Sequence, residues 1–204
     1  MAVTLTRRQS LALGLALVAL PLPGAAQESR PYVEMTMGSP DAPVTLVEYA
    51  MFNCPHCADF NRQMFPTIKA DYIDTGKVKL IFREVYFNKP SLWAGMVARC
   101  APADRYFGIV DLLFSSQANW AMETDEQALL GKLYAIGRQA GLTDAEIGAC
   151  MQDRAYAEAL VAEYQKNAAA DGVNATPTFV INGKTQTDLD WAQLPAKLDE
   201  ALGS

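Results

Sequence analysis

Nine residues, Phe52-Asn53-Cys54-Pro55-His56-Cys57-Ala58-Asp59-Phe60, limit what this chain can become more than any other stretch. Two cysteines separated by two residues can close a small disulfide or grip a metal, and the flanking segments favour the redox use. Upstream, residues 44–50 alternate and are rich in β-branched side chains, which predicts a strand. Downstream, Phe60, Met64 and Ile68 recur at i, i+4 and i+8, the apolar stripe of a helix. Cys54 therefore falls where a strand ends and a helix begins. Pro55 suits the first helical position, where its missing N–H would have had no partner. Free backbone N–H groups and the positive end of the helix dipole then point at the Cys54 sulfur and stabilise its thiolate. His56, the only histidine of the chain, can add positive charge beside the same sulfur.

The rival uses of the motif are weaker. Zinc needs four ligands and would have to recruit Cys100 and Cys150, neither of which belongs to a second CxxC. Covalent haem attachment needs histidine directly after the second cysteine, where Ala58 stands. A purely structural disulfide across two residues is strained and uncommon. No metal and no cofactor is expected.

Residues 1–26 read as an export signal. Arg7 and Arg8 form a positive start, residues 11–20 are apolar apart from Gly14, and Pro21 and Pro23 break the run. Gly24-Ala25-Ala26 offers small residues for cleavage before Gln27. The apolar run is too short to span a bilayer, which takes roughly 20 residues. Thr6-Arg7-Arg8-Gln9-Ser10-Leu11 also resembles a twin-arginine signal, and an ordinary Sec signal with two arginines fits equally well. No cysteine follows the cleavage site to carry a lipid anchor. Either route places the mature chain in an oxidising compartment, where disulfides persist and four cysteines make an even set. The formal charge is −6; losing Arg7 and Arg8 leaves 15 basic against 23 acidic residues, or −8. So acidic a chain is a poor partner for nucleic acid or anionic lipid.

The mature chain of about 178 residues can bury a sizeable core. Residues 32–37 alternate and predict a first strand, and Gly38-Ser39-Pro40-Asp41-Ala42-Pro43 a turn-rich connection. Pro66 should kink the helix that follows the motif. Asp74-Thr75-Gly76 ends that helix, and residues 78–85 form the next strand, completing a βαβ unit with a parallel pair. From Ser91 to Asn167 the periodicity is helical throughout. Thr124-Asp125-Glu126-Gln127 and Thr143-Asp144-Ala145-Glu146 read as capping boxes on either side of Gly141. The apolar stripes here read as the core of a helical subdomain, part of one face bordering the CxxC loop as the alternative.

Cys100 and Cys150 fall in this helical stretch. The leading reading is a structural disulfide pinning two helices, which would stabilise by roughly 4 kcal/mol through loop closure. Two buried free thiols, or a second redox pair, are the alternatives. The chain then returns to β character: Thr176-Pro177 precedes an apolar strand, Asn182-Gly183 makes a hairpin turn, and Asp188-Leu189-Asp190 caps a last helix carrying Trp191, Leu194 and Leu198.

Glu48, Cys54-Pro55-His56-Cys57, the helical insertion, and Thr176-Pro177-Thr178-Phe179-Val180-Ile181-Asn182-Gly183 together resemble the thioredoxin superfamily. Within it, the chain is similar to the bacterial DsbA-type thiol:disulfide oxidoreductases from about Tyr32 to its end. The resemblance implies an α/β fold, a thioredoxin fold (27–90 and 171–204) interrupted by a helical insertion domain (91–170). It implies Cys54 as the exposed attacking cysteine, Cys57 as its buried partner, and His56 as a stabiliser of the Cys54 thiolate. Pro177 would be a cis-proline opposite the disulfide, with Thr176 offering backbone groups to an extended substrate. Glu48 matches an acid beneath the active site of relatives; a partly buried strand residue in a salt bridge is its other reading. Cys100–Cys150 resembles an extra bridge found in a subset of DsbA-like proteins. The best-known DsbA proteins carry valine where Thr176 stands, and threonine is familiar from isomerase-type relatives.

The implied activity is a periplasmic dithiol oxidase that gives its disulfide to exported, folding polypeptides. A quinone-linked membrane reoxidase of the DsbB type is the implied second partner, and the protein is expected to act as a monomer. A reductase or isomerase of the same fold is the runner-up. Isomerases of this kind carry an extra N-terminal dimerisation domain, which the few residues between Gln27 and Tyr32 are too short to supply. A metal or thiol carrier without turnover is the third reading, and it lacks a further ligand beyond His56.

Overall fold

The structure, a computed structural model, describes Met1 and residues 30–203. The expected export signal lies outside the described residues. A short strand β1 (Met35–Met37) precedes β2 (Val44–Ala50), helix α1 (Pro55–Gln63), a second helical piece α2 (Phe65–Ile68) that runs into a π-turn (Lys69–Ile73), and β3 (Val78–Glu84). Helices α3 (Lys89–Cys100), α4 (Tyr106–Ser115), α5 (Gln117–Trp120), α6 (Glu126–Gln139), α7 (Asp144–Met151) and α8 (Arg154–Asp171) follow. The hairpin β4 (Thr178–Ile181) and β5 (Lys184–Gln186) and helix α9 (Leu194–Leu202) close the chain.

The five strands order as β1-β3-β2-β4-β5, with β2 and β3 parallel and every other pair antiparallel. β2 occupies the centre, so both its faces are covered. Val44, Leu46 and Ala50 face one side with Leu80, Phe82 and Phe179; Val47 and Tyr49 face the other with Val85 and Val180, against Tyr164 of α8. Three polar ties from one arginine hold the second face. Arg83 donates to Glu34 (2.8 Å), to the Tyr49 hydroxyl (2.7 Å) and to Asp171 (3.0 Å), joining β1's approach, β2, β3 and the end of α8.

Pro66 breaks the helix after the CxxC as expected. Its missing N–H is tolerated at the start of α2, and α1 has already stopped at Met64. The first strand is shorter than the alternation of residues 32–37 predicts. Tyr32 and Val33 are drawn out of the sheet by Arg99, which stacks on the Tyr32 ring at 4.9 Å and donates to the Val33 carbonyl at 2.8 Å. The capping box at Thr143 forms with Glu146, but the one at Thr124 does not. There Asp125 is the N-cap, accepting from the Ala128 amide, while the Thr124 and Asp125 amides bond to Glu123. A carboxylate one residue later wins the cap.

The helical stretch does not keep a core to itself. Ala50, Phe52, Cys54, Cys57 and Phe82 share one continuous apolar cluster with Val97, Ile109, Leu113, Phe114, Trp120, Leu133 and Ile147. At its edge Arg99 and Glu84 form a buried bidentate ion pair (2.6 and 2.7 Å), and the Tyr106 hydroxyl donates to the same carboxylate at 2.6 Å. Beside that pair, Cys100 of α3 is disulfide-bonded to Cys150 of α7, with Cα atoms 5.6 Å apart.

Candidate active site

β2 delivers the chain to the sheet's end at Ala50, and Met51-Phe52-Asn53 turn it into α1. The turn is closed by the Cys54 amide donating to the Met51 carbonyl at 3.0 Å. Cys54 is the N-cap, extended at φ −85° and ψ 120°, with Pro55 in the first turn. The cap position carries no acidic residue in the turn that follows, so the helix end keeps its positive potential for the sulfur.

Both thiols are free in this structure, and they sit in opposite environments. Cys54 is held at a pKa of about 5 by a hydrogen bond from the Cys57 thiol, then by one from the Thr176 side chain and by the backbone amides of Cys57 and His56; burial opposes these. Cys57, wholly buried, is pushed far up by desolvation first and by its neighbour Cys54 second. One is a thiolate at neutral pH and the other is not.

Cys54 is less open than a resemblance-based expectation of an exposed nucleophile allows: 7 % of its surface is accessible, against none for Cys57. The cause is the loop opposite. The Thr176–Pro177 bond is cis, and the Thr176 carbonyl accepts from the Cys54 thiol at 3.4 Å. Among the leading influences on Cys54, His56 acts through its backbone amide. Its side chain is exposed in the first turn.

Glu48 lies on β2 behind the thiols, 3 % exposed, and burial lifts its pKa to about 8. Its charge would raise Cys57 further, which marks the two as neighbours. The salt-bridge reading fails: among the described residues Glu48 has no cationic partner. A carboxyl protonated at neutral pH thus stands near a thiol that resists ionising.

Two residues near Cys54 carry no sequence signal. Gln117 at the start of α5, 7 % exposed, donates through Nε2 to the carbonyls of Phe52 (2.7 Å) and Cys54 (2.9 Å). Asn53 buries its Oδ1 with no hydrogen-bond partner among the described residues. A lone glutamine in a helical stretch reads as solvent-facing, and only the fold brings it under the loop. Beside the cis-proline opens a groove of about 370 Å³ lined by Asn174, Ala175, Pro177, Thr178, Gln186 and Thr187, among others.

A thiolate at a helix N-terminus, faced by a cis-proline across an α/β sheet, can be compared with known proteins. The thioredoxin family model matches residues 32–200. The chain belongs to the thioredoxin family. Its relatives include a putative protein-disulfide oxidoreductase of Rickettsia bellii, 31 % identical over 83 % of this chain and 64 % of the relative. Disulfide bond formation protein D of Bacillus subtilis is 30 % identical over 81 % of this chain and 76 % of its own length. The chain thus spans a little under two thirds of the rickettsial relatives it matches. Among solved structures it is similar to alpha-DsbA1 of Wolbachia pipientis, with a TM-score of 0.72 and 28 % identity, covering 91 % of this chain and 94 % of that one. BdbD of Bacillus subtilis gives a TM-score of 0.72 at 27 % identity, covering 84 % and 94 %. This thioredoxin-family chain is therefore DsbA-like in architecture as well as in its motif.

Proposed function

We propose that this protein is a thiol:disulfide oxidoreductase that donates a Cys54–Cys57 disulfide to cysteine pairs of exported, folding polypeptides in the periplasm. The observation that carries this is the split between the two thiols, Cys54 held down to about 5 and Cys57 pushed far up. Stabilising the Cys54 thiolate stabilises the reduced protein, and a disulfide whose reduced form is favoured is a strong oxidant. The relatives' names point the same way.

In the oxidised protein a substrate thiolate attacks Cys54 Sγ and expels Cys57 as the leaving thiolate, giving a mixed disulfide. The environment of Cys57 disfavours that anion, so it takes a proton, and Glu48, protonated at neutral pH, is the nearby donor. A second substrate thiolate then attacks the substrate sulfur of the mixed disulfide. The substrate leaves oxidised, and Cys54 departs as a thiolate held by the amides of His56 and Cys57. Thr176 and the groove beside Pro177 would accept the substrate as an extended strand, pairing with the backbone freed at that loop. Reoxidation by a membrane partner of the DsbB type completes the cycle.

The test is stoichiometric. Oxidised protein is mixed with a reduced, unfolded polypeptide bearing two cysteines, and the products are separated by mass. One substrate disulfide formed per Cys54–Cys57 reduced supports the reading. Failure to oxidise, with Cys54→Ser behaving like the unmodified protein, contradicts it.

A further inference from the structure

We infer that Gln117 is a positioning residue for the redox centre, reaching from the helical stretch to hold the N-terminus of α1 in the attitude that stabilises the Cys54 thiolate. The inference deepens the function proposed above and rests on Cys54 being the attacking thiol.

The argument starts from what the amides need. The groups that hold the thiolate include the backbone N–H groups of His56 and Cys57, whose direction relative to the sulfur depends on the peptide plane joining Cys54 to Pro55. The carbonyl of that plane belongs to Cys54. It accepts the first helical hydrogen bond from Ala58 at 3.2 Å and a second from Gln117 Nε2 at 2.9 Å. The same nitrogen accepts no alternative assignment, because an amide oxygen placed there would face two carbonyl oxygens. Its other hydrogen goes to the Phe52 carbonyl at 2.7 Å, two residues upstream. One buried side chain therefore grips the loop on both sides of Asn53 and fixes Cys54's backbone between them.

The grip also has an electrostatic consequence. Carbonyl oxygens carry negative partial charge, and any that swung toward the sulfur would oppose a thiolate there. Two N–H donors from Gln117 hold both oxygens toward α5, where they are engaged and not free to turn to the Cys54 sulfur. Gln117 is placed for this by its surroundings. The next turn's Trp120 is buried at 1 % and donates its indole N–H to the Leu113 carbonyl at 3.0 Å, which locks the four-residue helix α5 onto α4. The helical stretch therefore takes part in setting the chemistry, beyond covering it. No charge and no contact with the sulfur is involved, so the effect must travel through backbone geometry.

The experiment measures the Cys54 thiolate pKa, from thiolate absorbance against pH, and the glutathione redox equilibrium. It does so for the wild-type chain, Gln117→Met and Gln117→Glu. Methionine matches the length without donors; glutamate keeps the size and, ionised, repels both carbonyls. The expected result is a rise of roughly half to one pH unit for Gln117→Met, a larger rise for Gln117→Glu, and redox equilibrium constants lowered about three- to tenfold in step. Should Gln117→Met fail to fold, Gln117→Glu carries the test. A folded variant with lowered melting temperature but an unchanged thiolate pKa and redox equilibrium would make Gln117 a structural residue only and overturn the inference. That outcome differs from failure of the functional reading itself, which would show as a reducing potential in the wild-type protein.

Discussion

The Cys54 thiol lies 3.4 Å from the backbone carbonyl of Thr176, a residue 122 positions further along the chain. The same residue acts on the sulfur in two opposed ways. Its carbonyl accepts from the protonated thiol and would face an anion unfavourably, whereas its side chain hydrogen-bonds to the sulfur and lowers its pKa. Thr176→Val removes the favourable half alone. We expect the Cys54 pKa to rise by roughly half to one unit and the protein to become correspondingly less oxidising. Thiolate absorbance against pH, with no change in the valine variant, would defeat this account of Thr176.

The pKa of Cys54 also makes a stability claim. Its folded value of about 5 lies below that of an unfolded cysteine, near 8.5. The stabilisation of the reduced protein is therefore fully present above the unfolded value and is lost as pH falls through 5. At pH 7 the reduced protein should gain about 2 kcal/mol relative to its behaviour at pH 4, and the oxidised protein, whose sulfurs do not titrate, should gain none from this source. Urea unfolding of both forms at the two pH values measures the difference. Equal pH responses would contradict a stabilised thiolate.

Glu48 works in the opposite direction. Burial raises its folded pKa to about 8, so its contribution is intact below the unfolded carboxyl value and declines as pH rises toward 8. Glu48→Gln keeps the shape and removes the penalty of ionisation. The variant should be more stable than wild type by about 2–3 kcal/mol at pH 7, with little difference at pH 4. It should also slow the dithiol–disulfide cycle by depriving Cys57 of its proton donor. A stability gain with an unchanged rate would leave Glu48 as a buried strand residue and nothing more.

Arg99 and Glu84 are both within 4 % of complete burial, and each satisfies the other. Arg99→Leu leaves the Glu84 carboxylate uncompensated and frees the Val33 carbonyl and the Tyr32 ring as well. A loss of about 3–5 kcal/mol in chemical denaturation is expected. A loss under 1 kcal/mol would mean the pair is not closed off from water.

How much of this was readable in the sequence depends on how local each signal is. The central strand β2, the CxxC at a helix start, the break at Pro66 and the Asn182-Gly183 turn rest on neighbouring residues, and the structure reproduces them closely. Asn182 and Gly183 both take positive φ, the conformation the turn requires. The Cys100–Cys150 bridge is the leading of three readings, with two free thiols and a second redox pair left open, and only the packing of α3 against α7 brings the two sulfurs together. What escaped was long-range. Glu84 and Arg99 look like two surface charges until β3 and α3 are packed together. Gln117 looks like a polar residue on a short helix until its side chain meets the carbonyls of Phe52 and Cys54. β1 begins late, at Met35, because Arg99, 64 positions further along the chain, engages Tyr32 and Val33 just before it. His56 is a subtler case: the sequence drew attention to its imidazole, and the structure adds a contribution from its backbone N–H, which lowers the Cys54 pKa.

The central claim is that the protein is an oxidant, and its redox equilibrium with glutathione tests that most directly. Mature protein is equilibrated at pH 7 across a series of glutathione ratios, trapped, and resolved by mass, with Cys100–Cys150 followed separately from Cys54–Cys57. The account predicts a Cys54–Cys57 potential above about −180 mV, the value typical of protein disulfide isomerase. A potential near about −270 mV, in the range of thioredoxin, would mark a reductase and contradict it.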